Sequence, residues 1–129
     1  MQDRATAIEL LDAISRFLRN QSGQQQDRWL RFQLLVASNS LAIVQRELEQ
    51  EEGNLRQEWP LLDALLSQEA MPETLGELEA AYRQRQEELC ERIRAGHFDA
   101  AEDERELVRY LVLETANRVR ITAPQELNG

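Results

Sequence analysis

The sequence predicts an all-α fold, a single up-and-down bundle of about five helices in one domain spanning residues 1–129. Three observations predict it. Apolar residues recur at steps of three and four through most of the 129 residues. Helix-capping signatures stand at the head of two of these stretches. No stretch alternates polar and apolar residues with period two, and the turn pair Asn128-Gly129 comes only at the very end.

The first helix is expected to start at Thr6, where Thr6 and Glu9 match a capping box that satisfies two end N–H groups. Ala7, Leu10, Leu11, Ile14, Phe17 and Leu18 then share one face, expected inward. The run Asn20-Gln21-Ser22-Gly23 ends it. The second helix is expected from Asp27 to about Glu52. Leu30, Leu34, Ala37, Leu41, Val44 and Leu48 form its seam, and Trp29, Phe32, Leu35, Val36 and Ile43 widen it. A helix apolar on more than one side is usually enclosed by neighbours, so this helix is placed at the centre. Gly53-Asn54 is expected to close it.

The third helix is shorter, about Leu55 to Ser67, with Pro60 predicting either a restart or a kink. The fourth opens with a second capping box, Thr74 and Glu77, and carries Leu75, Leu78, Tyr82, Leu89 and Ile93 inward until Gly96. Arg85 and Gln86 interrupt that seam, which predicts weaker or solvated packing there. The fifth starts near Asp103, with acids suited to the positive end of the helix dipole. It directs Leu107, Val108, Leu111, Val112, Thr115 and Val119 inward and stops at Pro124. A frayed tail is expected over about 124–129.

Composition limits the function. A net charge of −9, from 24 acids against 15 arginines, disfavours a nucleic-acid partner, because binding a phosphate backbone rests on cationic side chains. Every cation is Arg, which genomic base composition explains more simply than a set of anion clamps. One Cys excludes an internal disulfide. No secretory leader and no apolar run long enough to span a bilayer is evident, so a cytoplasmic protein without membrane contact is expected.

Three stretches, taken together, carry a family resemblance: Asp3 to Leu18 (DRATAIELLDAISRFL), Val36 to Leu48 (VASNSLAIVQREL) and Ile93 to Phe98 (IRAGHF). With the closing helix that ends at Pro124, they resemble a small bacterial helical domain family of unknown function. Its members tend to be encoded near acyl-CoA dehydrogenase-like and aminoglycoside-phosphotransferase-like proteins. The resemblance implies a neighbourhood of acyl-CoA or phosphorylated hydroxy-acyl metabolism and carries no catalytic residues.

Catalytic signals are sparse. A di-iron bundle needs two Glu-x-x-His units, and a structural zinc site favours Cys and His. His97 and Cys90 are the chain's only His and Cys, so no cofactor and no metal site is expected. Cys90 and His97 stand two helical turns apart, about 10 Å, too far for a nucleophile–base contact. Arg92 and His97 have the spacing of helical ribonucleases, but Gly96 should end the helix between them. No catalytic residue is assigned.

The remaining candidates are polar groups in apolar surroundings. Ser38 and Asn39 lie mid-helix between Leu34 and Leu41, and a buried amide needs partners at both ends. Asn39 either fixes helix register, bonded near Thr115 or Asn117, or orients a ligand in an apolar pocket. Trp59 and Leu62 are candidate interface residues, because the interrupted third helix should cover the second poorly. The chain is therefore expected to be a non-enzymatic accessory protein that binds a protein partner or forms a homodimer. The alternative is a small-molecule binder or weak enzyme acting on an acyl or phosphoryl substrate.

Overall fold

The structure, a computed structural model, describes residues 3–127. Met1, Gln2, Asn128 and Gly129, and with them the start of the leader reading and the end of the expected tail, lie outside the described residues. The fold is all-α: α1 Arg4–Gln24, α2 Arg28–Leu65, α3 Leu75–Arg94, α4 Ala101–Thr122 and a closing 3-10 turn, Pro124–Leu127. No strand occurs among the described residues.

Four helices stand where five were expected because the second and third are one. The 38 residues of α2 run through Gly53, Asn54 and Pro60 without a break. A mid-helix Gly costs roughly 1 kcal/mol relative to Ala, too little to stop a helix packed along its length. Pro60 removes one backbone bond, but it is exposed, so the carbonyl left without a donor can be hydrated. At the N-terminus, Asp3 rather than Thr6 caps α1, its side chain accepting from the Ala5 N–H at 3.4 Å. The tail expected to fray forms the 3-10 turn up to Leu127.

The chain forms two compact units, Met1–Gln50 and Glu51–Gly129. The first is an antiparallel pair, α1 with the first part of α2, joined by residues 25–27. Its seam is built on serine. Ser15 Oγ donates to the Ser38 carbonyl and Ser38 Oγ to the Ser15 carbonyl, each at 3.0 Å. Farther along, Arg4 Nε donates to the Leu48 carbonyl at 2.9 Å. Among the described residues of this unit the buried ones are Ser15, Ser22 and Ser38, and no large apolar residue is buried. Leu10, Ile14 and Phe17, expected inward, are exposed, as are Trp29, Leu30, Phe32, Leu35, Val36 and Val44 on the helix expected to be central. Small residues let the two helices approach closely. The larger apolar residues therefore flank the seam, where this unit has no third helix to cover them.

The second unit holds the core: Trp59, Leu62, Leu65, Leu78, Tyr82, Leu89 and Tyr110. Thr74 caps α3 as its motif predicts, its hydroxyl accepting from the Glu77 N–H at 3.3 Å. Gly96, at φ 82°, closes α3 in a Schellman turn, with Gly96 N–H to the Ile93 carbonyl and His97 N–H to the Arg92 carbonyl, both 3.1 Å. Glu102, Asp103 and Glu104 occupy the first turn of α4.

The buried face of α4 differs from expectation. Tyr110 and Asn117 are buried, while Val108, Leu111 and Val112 are exposed. Together with Val119 and Leu127 these outward residues line a shallow apolar groove of about 390 Å³. The helix is rotated so that an aromatic and an amide reach the core, because their hydrogen-bonding partners are there.

Candidate functional site

Polar side chains from three helices of the second unit meet inside its core. Glu58 on α2 is 4% exposed and lies one residue before the buried Trp59. The Tyr82 hydroxyl from α3 donates to Glu58 Oε1 in a short hydrogen bond. Asn117 Nδ2 from α4 donates to Glu58 Oε2 at 2.9 Å. The two phenol oxygens, Tyr82 and Tyr110, are 2.6 Å apart. Since the Tyr82 proton is directed to Glu58, Tyr110 is the donor between them. Gln86 Nε2 lies 3.3 Å from one phenol oxygen and 3.2 Å from the other. Arg120 donates to Asn117 Oδ1 at 2.5 Å.

Burial raises both tyrosine pKa values. For Tyr82 the hydrogen bond to Glu58 pushes further in the same direction; for Tyr110 the bond from Gln86 opposes the rise. Both phenols are therefore neutral at ordinary pH, and neither supplies a phenolate nucleophile. The network joins α2, α3 and α4, with its donors spent on one another.

Arg85, where the α3 seam breaks, is not solvated but 3% exposed. Its guanidinium lies 4.5 Å over the Trp59 ring, and it donates to Asp63 at 2.9 Å and to the Ser67 carbonyl at 2.6 Å. Its Nε is the buried side-chain atom without a hydrogen-bond partner among the described residues.

Beside the network, a groove of about 560 Å³ runs between α3 and α4. Gln86 and Tyr110 contribute to its lining, Leu89, Ile93 and Leu111 form its apolar wall, and Arg83, Arg94 and Arg118 stand along it beside Glu87, Glu91 and Glu114. Cys90 is exposed there.

The candidates from sequence fall in different places. Ser38 is fully buried, held by Ser15. Asn39, expected buried, is exposed and accepts from Arg19 at 3.4 Å, because one residue along a helix turns the side chain about 100° away from the seam. It lines neither the groove beside the network nor the groove on α4. Asn117 is 2% exposed, but its partners are Glu58 and Arg120. Trp59 and Leu62, candidates for an interface, are 2% and 0% exposed and offer no surface to a partner. Trp29 is the exposed tryptophan, stacked on Phe32 with ring centroids 6.0 Å apart. His97 is exposed beyond the end of α3, and Arg92 pairs with Glu88 at 2.8 Å, so the two do not share a helix face. Glu58, Tyr110 and Gln86 were missed. The break in the α3 seam at Arg85 and Gln86 was their one visible signal.

A family described as a domain of unknown function (DUF6285) matches residues 24–125. The chain belongs to this family. The match begins where α1 ends and takes in the whole of α2, α3 and α4 with the polar network. No curated protein and no solved structure matches the chain. Among the described residues no group of three or more His, Cys, Asp or Glu side chains is placed to hold a metal ion, and no helix is long and apolar enough to cross a membrane.

Proposed function

We propose that this family member is a non-enzymatic interaction protein whose helices present apolar faces to a protein partner. One observation carries the reading. Large apolar side chains face outward along α1, the first part of α2 and α4, while the polar groups of the interior are committed to one another. Exposed apolar surface of this extent marks an interaction site more often than a free surface. The resemblance read from the sequence names the partner class to try, acyl-CoA dehydrogenase-like or phosphotransferase-like proteins encoded nearby. Purified candidates should bind the wild type and lose affinity for Val112→Glu or Phe17→Glu. Equal binding by both variants would remove the apolar faces from the explanation.

The α3–α4 groove supports a second reading. Its volume falls within the roughly 300–1,000 Å³ range of small-molecule sites. Its apolar wall of Leu89, Ile93 and Leu111 fits an acyl chain. Acyl-CoA should then raise the melting temperature of the wild type but not of Leu111→Glu.

A further inference from the structure

We infer that the α1–α2 hairpin binds the same hairpin of a second copy of this chain, forming a four-helix bundle across a two-fold axis. This inference rests on the interaction reading above and names the partner.

The first ground is the missing core. A unit of 50 residues whose buried side chains are serines has almost no apolar interior of its own. Units of this size usually obtain one from oligomerisation, a metal or disulfides. The single Cys lies outside the hairpin, and no metal-binding cluster occurs among the described residues.

The second ground is the geometry of the open face. Asp12, Arg16 and Arg19 of α1 line a polar cleft with Gln45 and Arg46 of α2 on one flank of the serine seam. At 100° per residue, Leu10, Ile14 and Phe17 of α1 fall on the other flank. Because the helices are antiparallel, Leu30, Leu41 and Val44 of α2 come to that same flank. The result is a two-helix layer with one apolar side, which is half of a four-helix bundle, while the exposed Phe32 and Leu35 fall toward the other side. Leu10, Ile14, Phe17, Leu30 and Val44 are each 40–60% exposed, and a stable interface buries roughly 800 Å² per partner.

The third ground is charge. Residues 1–50 hold six acids and six arginines, whereas 51–129 hold eighteen acids and nine arginines. The hairpin is therefore neutral, and the whole net charge of −9 lies in the rest of the chain. A two-fold interface sets like against like. The hairpin can meet its own copy without net repulsion. The acidic second unit would repel its counterpart.

Sedimentation equilibrium on the full chain tests this. The wild type should have about 30 kDa at micromolar concentration, twice the 15.0 kDa of one chain. Ile14→Glu and Val44→Glu should give a single-chain mass, and the milder Ile14→Gln should raise the dimer Kd at least tenfold. Near-ultraviolet circular dichroism from the buried Trp59, Tyr82 and Tyr110 should be unchanged, which shows that the second unit folds, and unchanged far-ultraviolet circular dichroism shows that the hairpin keeps its helices. Val112→Glu, on α4, should remain dimeric. A wild type monomeric at hundreds of micromolar overturns the inference, as does a dimer dissolved by Val112→Glu and untouched by Ile14→Glu. A monomeric wild type that still binds a neighbouring enzyme through its apolar faces overturns self-association alone. A monomer that binds none of them overturns the interaction reading too.

Discussion

The hairpin and the unit that follows it use the same kind of helix in opposite ways. In 1–50 the helices meet through Ser15 and Ser38, while Leu10, Ile14, Phe17, Trp29 and Phe32 stay exposed. In 51–129 they meet through Trp59, Leu62, Leu78 and Tyr82 and enclose a carboxyl group, two phenols and an amide. Buried apolar area is the main favourable contribution to folding, at about 25 cal/mol per Å². Stability should therefore be concentrated in the second unit, while the first keeps apolar surface for association. Both regions are amphipathic. What separates them is the number of neighbours available to cover each helix.

The two tryptophans, one in each region, provide the sharpest way to break this comparison. Trp59→Ala should cost about 4 kcal/mol, since it empties a buried site and removes the ring beneath Arg85 and the bond to the Glu69 carbonyl. Trp29→Ala, at an exposed position, should cost less than about 0.5 kcal/mol. Urea unfolding of both variants decides the matter, and similar costs would end the claim that the core lies in one unit.

Alkaline pH acts on the second unit alone, because both tyrosines of the chain are in its network. Their folded pKa values are raised above the ordinary 10.0. The stabilisation is thus fully present below pH 10 and lost above it, as the unfolded chain gives up protons the folded chain keeps. Each tyrosine should contribute a fall of about 1.4 kcal/mol per pH unit. Tyrosinate absorbance should rise together with loss of helicity, not before it. Ionisation in a still-folded chain would show that the phenols are accessible.

Single hydroxyls give a smaller contrast. Tyr82→Phe leaves a Glu58 oxygen and the Tyr110 hydroxyl each one partner short and should cost about 2 kcal/mol. Ser38→Ala should cost about 1 kcal/mol, measured by thermal melting, because the Ser15 carbonyl loses its donor. The reverse order would make the serine seam the stronger junction. The smallest effect is expected at Asn39. Asn39→Leu should change stability by less than about 0.5 kcal/mol, since the amide is exposed and its bond to Arg19 is long at 3.4 Å. A large loss would show that the amide holds the folded chain by more than its bond to Arg19.

The sequence by itself determined that the chain is helical and where several helices begin and end. The Thr74 cap, the Gly96 turn and the acidic first turn of α4 are local interactions, closed within a few residues, so local spacing was enough to find them. The same periodicity could not say which face of a helix is covered, because burial depends on neighbours distant in sequence. Only the tertiary structure decided that α2 runs through Gly53 and Pro60 and that α4 turns Tyr110 and Asn117 inward while Val108 and Val112 face out. It alone placed Glu58, Tyr82 and Tyr110, from three helices, within hydrogen-bonding reach of one another. A buried carboxyl group must find its donors wherever the fold brings them, and here Tyr82 and Asn117 lie 24 and 59 residues away along the chain.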